Sequence, residues 1–166
     1  SPIVGKNPYR LNSLPKKTIK ENSNQRIRFN VMPDKHVDEN IEIQEYRIWD
    51  NAIESIFDRT YHTDMLKSPN HLTFLSSLIN LQKMVYVYMN DFLSIDYNKQ
   101  SKESLKVWPG KLKIEMPQMV LKRDNISHLM ILNSIHKIKE NRYKVTASTY
   151  VNDTVAISGE ALIVVL

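Results

Sequence analysis

The chain has 166 residues, 42% of them hydrophobic and 25% charged, the size and balance of one globular domain rather than of a disordered or fibrous chain. Cysteine is absent and glycine occurs only as Gly5, Gly110 and Gly159, which excludes disulfides, thiolate metal sites, cysteine nucleophiles and glycine-rich nucleotide loops. The formal charge of +5 suits anionic partners such as coenzyme A, an acyl carrier or nucleic acid, and it also serves solubility alone.

Residues 1–24 carry Pro2, Pro8 and Pro15 without a periodic apolar pattern, and read as an irregular lead-in or linker to a single domain over 25–166. Two strands follow by period-two alternation, over 25–31 (Ile27, Phe29, Val31) and 41–49 (Ile41, Ile43, then Tyr46, Ile48). Residues 52–62 fit a strand through Ile53, Phe57 and Tyr61, and a helix through Ile53, Ile56 and Phe57; the strand is preferred. Lys67-Ser68-Pro69-Asn70 is a helix-start signal in which Ser68 or Asn70 caps and Pro69 suits a first turn. The helix then runs unbroken to about Leu93.

Beyond it, Trp108-Pro109-Gly110 reads as a turn, and residues 111–122 as a strand interrupted at Pro117. Strands over 128–139 and 142–151 follow, the second alternating cleanly from Tyr143 to Val151. Asn152-Asp153 suits a two-residue hairpin turn because both residues tolerate positive φ. A last strand over 154–166 ends in an apolar run. Two or three strands, one long helix and four strands make an α+β chain. A lone helix beside an antiparallel sheet buries its stripe only if the sheet wraps it, which is the hot-dog fold: one central helix in a curved antiparallel sheet.

On the helix, Leu72, Leu75, Leu78, Ile79, Val85, Tyr86, Met89, Phe92 and Leu93 form an apolar stripe, and Thr73, Ser76, Ser77, Asn80, Lys83 and Asn90 read as a solvated or sheet-edge face. His71 and Gln82 lie three turns apart, at the centre of the apolar stripe. That placement makes Gln82 a buried amide needing a partner: a strand carbonyl or a ligand in an acyl tunnel. His71, read as first-turn, meets the positive end of the helix dipole and stays neutral, as a general base must. His62 and Asp64 just upstream stand ready to orient it or to act as acid, so His71 and Asp64 are the candidate catalytic pair. Gln82, Ser76 and Asn80 are the candidate substrate contacts.

His62, Asp64 and His71 have no recognised metal spacing, and no metal is expected. His36, His128 and His136 read as loop or strand residues with no constellation around them. No Asp or Glu occurs between Met65 and Asn90, so either Asp64 or a partner chain supplies the carboxylate that dehydration needs, or the reaction is not dehydration.

His71-Leu72-Thr73-Phe74-Leu75, continuing through Leu78, Leu81 and Gln82, resembles the His-Leu-x-x-x-Asp-x-x-Leu-x-x-x-Gln helix start of AfsA/AvrD-type hot-dog proteins. The likeness covers residues 50–166, with Val107-Trp108 and the closing strands falling where that group has theirs. It implies processing of an acyl thioester, carried on coenzyme A or an acyl carrier protein: acyl transfer or condensation onto a small acceptor, dehydration, or thioester hydrolysis. His71 takes the place of the family histidine, Gln82 stands one residue closer than the family glutamine, and Ser76 replaces the family aspartate. The alternative is a non-catalytic hot-dog module for acyl-CoA sensing or assembly.

No cofactor is expected beyond coenzyme A or phosphopantetheine as part of the substrate, with a basic residue such as Lys122 or Arg123 meeting its phosphate. Because the group often holds two hot-dog repeats and this chain has room for one, a homodimer is expected. A cytoplasmic protein without membrane or nucleic-acid contact completes the reading.

Overall fold

A computed structural model of the chain describes residue 11 and residues 14–65, 70–95 and 104–166. Three strands come first: β1 (Lys17–Met32), β2 (Lys35–Trp49) and β3 (Ala52–Thr63). The helix α1 (Phe74–Phe92) follows, then β4 (Leu105–Ile114), β5 (Ile126–Lys139), β6 (Arg142–Val151) and β7 (Thr154–Val165). The strands form one antiparallel sheet in the order β1-β2-β3-β5-β6-β7-β4. This sheet curls around α1, which touches β2, β3, β4, β5 and β7; the fold is the hot-dog arrangement.

Local chemistry accounts for most of the connections. Val151 pairs with Thr154 across Asn152 and Asp153, whose φ values of 46° and 65° make the tight hairpin turn read from the sequence. Residues 52–62 are strand, as preferred. Several boundaries differ from expectation, β2 beginning at Lys35 and β5 at Ile126 among them. β1 begins at Lys17, inside the stretch read as lead-in. Trp108-Pro109-Gly110 is part of β4 rather than a turn, because β4 is an edge strand, where a missing N–H costs no ladder bond, and a bulge lies between Pro109 and Lys111. Residues 115–125 are irregular. Beside that bulge β4 approaches β7 so closely that a Cβ at Gly159 would lie 2.0 Å from the Lys111 carbonyl oxygen, so only glycine fits.

α1 starts later than the expected Ser68 or Asn70 cap. Ser68 and Pro69 lie outside the described residues. Thr73 is the N-cap, with φ −82° and ψ 153° and its side chain accepting from the Ser76 N–H. The preceding stretch is extended because the sheet holds it: the Leu72 N–H donates to Val120 O, and both Asn70 oxygens accept from Arg59.

The main core lies between α1 and the concave face, around Ile41, Ile43, Tyr46, Ile53, Phe57, Met84, Val87, Ile126 and Met130. A smaller cluster on the opposite face joins Trp49, Ala52, Leu129, Ile131 and Tyr150, with Leu11 packed on it. None of the described helices is long and apolar enough to cross a membrane.

Candidate functional site

The first two turns of the helix sit with their polar side inward, the reverse of expectation, while Leu81, Met84, Val87 and Tyr88 carry the apolar contact further along. Ser76, Ser77 and Asn80 are buried against the sheet, while Leu75, Leu78 and Ile79 are only partly covered. The sheet explains this. Its concave face carries Glu39 on β2, Ser55 and Arg59 on β3 and His128 on β5, all buried and each at an inward position of an otherwise apolar alternation. Polar groups taken from water need partners, and the helix supplies them.

At the amino-terminal end of α1 the polar groups form a closed cluster. Arg59 and Glu39 make an ion pair with both side chains fully buried, at 3.1 Å. Arg59 also donates to Lys122 O, Val120 O, Asn70 O and Asn70 Oδ1 at 2.9–3.2 Å, so it ties the loop before β5 to the segment before α1. The other Glu39 oxygen accepts from the Thr73 N–H at 3.2 Å, the Thr73 hydroxyl at 2.9 Å and the Ser76 hydroxyl. A carboxylate at a helix amino terminus also meets the favourable end of the dipole. Burial lowers the Arg59 pKa from its ordinary value, and Glu39 opposes that shift.

One turn further along α1 the polar groups form an open cluster. Asn80 Nδ2 lies 3.1 Å from His128 Nδ1, and the Ser55 hydroxyl donates to Asn80 Oδ1 at 3.5 Å. An amide NH₂ only donates, so His128 Nδ1 accepts and the imidazole proton sits on Nε2. That Nε2 is buried with no partner among the described residues. Burial pushes the His128 pKa down to about 4, and the ring is neutral near pH 7.

Between α1 and the β4–β7 part of the sheet runs an apolar groove of about 190 Å³. Leu78, Leu81, Gln82 and Val85 line it from the helix. Val107 and Leu112 of β4, Met130 of β5, Val145 and Ala147 of β6 and Ile157 and Ala161 of β7 line it from the sheet. Its polar lining is Gln82, Thr149, Ser158 and Glu160. Glu160 lies 3.4 Å from Lys144 and 3.9 Å from Lys111.

The residues singled out from the sequence therefore separate. His71 precedes the N-cap instead of occupying the first turn, so it does not share a helical face with Gln82. It is half-buried, with Nδ1 3.0 Å from Leu72 O. A carbonyl only accepts, so Nδ1 carries a proton, and Nε2 is the position left for a lone pair. Asp64 accepts from the His36 backbone N–H at 2.9 Å and lies 3.3 Å from His36 Nδ1; that backbone bond holds its pKa below the ordinary value. No hydrogen bond joins Asp64 to His71 among the described residues. His62 is exposed, in register with Asp38.

Gln82 is exposed rather than buried, yet it does line the groove. Ser76 and Asn80 are bonded inside the two polar clusters. His128, read as a strand residue without a constellation, is the buried end of one. The signal for it was legible in Ile126-x-His128-x-Met130, a polar residue at an inward strand position, as it was in Val37-x-Glu39-x-Ile41 and Ile53-x-Ser55-x-Phe57-x-Arg59.

No family model and no curated protein matches the sequence. Among solved structures the chain is similar to a mutant thioesterase from Pseudomonas aeruginosa, at 8% sequence identity and a TM-score of 0.44, over 75% of this chain and 81% of that one.

Proposed function

We propose that the chain is a hot-dog domain that binds an acyl thioester, on coenzyme A or an acyl carrier protein, with the acyl chain in the groove beside α1. The groove carries this reading: it is an apolar slot of about 190 Å³ beside a buried helix, with a few polar groups along it. Each methylene it buries contributes about 0.8 kcal/mol. Lys111 and Lys144 flank Glu160 at the groove, and the three together leave one positive charge there for a carrier phosphate.

Within this class, the AfsA/AvrD-type resemblance points to acyl transfer onto a small acceptor, with the His71 Nε2 lone pair as the base and Gln82 as a contact in the groove. Ser76 stands where the family has aspartate, and its hydroxyl holds the Glu39 carboxylate. A homodimer fits the sheet edge, because β4 is an edge strand carrying exposed Trp108, Leu112 and Ile114.

One observation favours a second reading, a non-catalytic acyl-CoA module. Asp64 is committed to His36, and Glu39 to Arg59. Equilibrium dialysis with hexanoyl-CoA, run beside an assay for free thiol, separates the two. Ala147→Phe fills the groove and is expected to abolish binding while the fold persists. His71→Ala is expected to lower turnover by roughly 10²–10⁴-fold in an enzyme and to leave affinity unchanged in a binding module. Full retention of hexanoyl-CoA binding by Ala147→Phe contradicts the groove reading.

A further inference from the structure

Opposite residues in an antiparallel ladder share a face, so the pairing of β4, β7, β6 and β5 sorts their side chains. Val107, Ile163 and Tyr143 stand in one row on the concave face, packed on the core under α1. The rows on either side of it face outward. Lys106, Val164, Arg142 and Lys139 make one, and Trp108, Leu162, Lys144 and His136 the next. Trp108 is 58% exposed. No stretch of the chain shows this patch, because its members come from four strands and meet only through the pairing.

The outer face of the sheet carries its charges in two ways. Across β1–β3 they are matched: Arg28 lies 3.6 Å from Asp38, Lys20 3.6 Å from Glu45, and Arg47 3.1 Å from Glu45 and 3.3 Å from Glu54. Across β4–β7, Lys144 meets Glu160. Lys106, Lys139 and Arg142 are exposed and form no ion pair among the described residues, nor does Glu140 in the turn between the last two.

Unmatched cations in one row, with an exposed indole about 7 Å away in the next, suit a ligand that alternates anionic groups with flat rings. We infer that this outer face of β4–β7 binds single-stranded nucleic acid, with a base stacked on Trp108 and neighbouring phosphates on Lys106, Arg142 and Lys139. A bilayer is flat and meets a convex face along a narrow band, whereas a flexible strand follows it. Leu162 and Val164 beside the indole are half-buried, so the patch offers a membrane one apolar anchor.

The full chain is titrated into a fluorescein-labelled oligothymidylate of about twelve nucleotides and followed by anisotropy. Binding is expected, with log K falling against log salt at a slope of about −2, the value for three phosphates on a single strand. Trp108→Ala is expected to weaken it about tenfold, and Arg142→Gln to reduce the slope by about 0.7. Lys20→Gln, on the matched half, is expected to change neither. In the unaltered chain the oligonucleotide is expected to quench the fluorescence of Trp108, which is exposed where Trp49 is buried.

Absence of binding at low salt overturns the inference, and phosphatidylserine vesicles bound in its place make the face a membrane surface instead. Affinity for a duplex of the same length equal to that for the single strand overturns it as well. So do full affinity in Trp108→Ala, an unquenched indole, or a loss in Lys20→Gln as large as that in Arg142→Gln.

Discussion

Two buried polar clusters lie one turn apart under the same helix, and they differ in how completely their bonds are made. Around Glu39 and Arg59 every oxygen and each guanidinium nitrogen has a partner, and those partners are the helix cap, the segment before it and the loop before β5. Around Asn80 and His128 the chain of bonds stops at Nε2. The first cluster fastens three segments together and leaves nothing to offer a ligand. The second ties α1 to β3 and β5 and leaves its last donor without a partner among the described residues. Hydrogen-bond saturation thus distinguishes the two clusters where burial does not, since both are buried.

Breaking the closed cluster gives the largest effect. Arg59→Met leaves the Glu39 carboxylate buried and unpaired, and is expected to cost about 3–5 kcal/mol in urea unfolding. Replacing both residues, by Glu39→Leu with Arg59→Met, is expected to cost less than the single change, because no charge is then stranded.

The open cluster is tested by pH. The unfolded chain protonates His128 near the ordinary histidine value of 6.5, whereas the folded chain resists until about 4. Between those values the unfolded state binds more protons, so stability falls as pH falls, by about 3 kcal/mol over the window. Unfolding curves of His128→Phe are expected to lack this component of the slope. Identical pH slopes for wild type and variant contradict an imidazole kept neutral by burial.

Thr73→Ala removes both the cap and one Glu39 bond, and is expected to lower stability by about 1–2 kcal/mol in the same unfolding assay. Gln82→Ala lies outside both clusters on an exposed position, so a change within about 0.5 kcal/mol is expected. A larger loss places the glutamine in the buried stripe after all.

The alternation of Ile27, Phe29, Ile41, Ile43 and the residues from Tyr143 to Val151 made the strands readable, and Asn152-Asp153 made one hairpin readable. With a single long helix among them, the hot-dog arrangement was legible as well. The facing of that helix was not. Leu75, Leu78, Ile79 and Val85 make the more apolar side, and an isolated helix presents that side to its sheet. Here the receiving surface is itself polar at Glu39, Ser55, Arg59 and His128, so Ser76 and Asn80 go inward, and Leu78 and Val85 are left to line a groove. The position of His71 depended on a helix start that Arg59 and Val120 set from distant strands, and no local spacing encodes such a contact. Pro109 read as a turn because strand interiors exclude proline, and only the sheet order reveals that β4 is an edge.

The most direct test of the groove is calorimetric titration with straight-chain acyl-CoA esters of increasing length. Binding is expected to tighten about fourfold per methylene, the equivalent of about 0.8 kcal/mol, until the slot of about 190 Å³ is filled, and then to level off. Affinity that does not change with chain length, or equal affinity for free coenzyme A, would contradict an acyl chain in this groove.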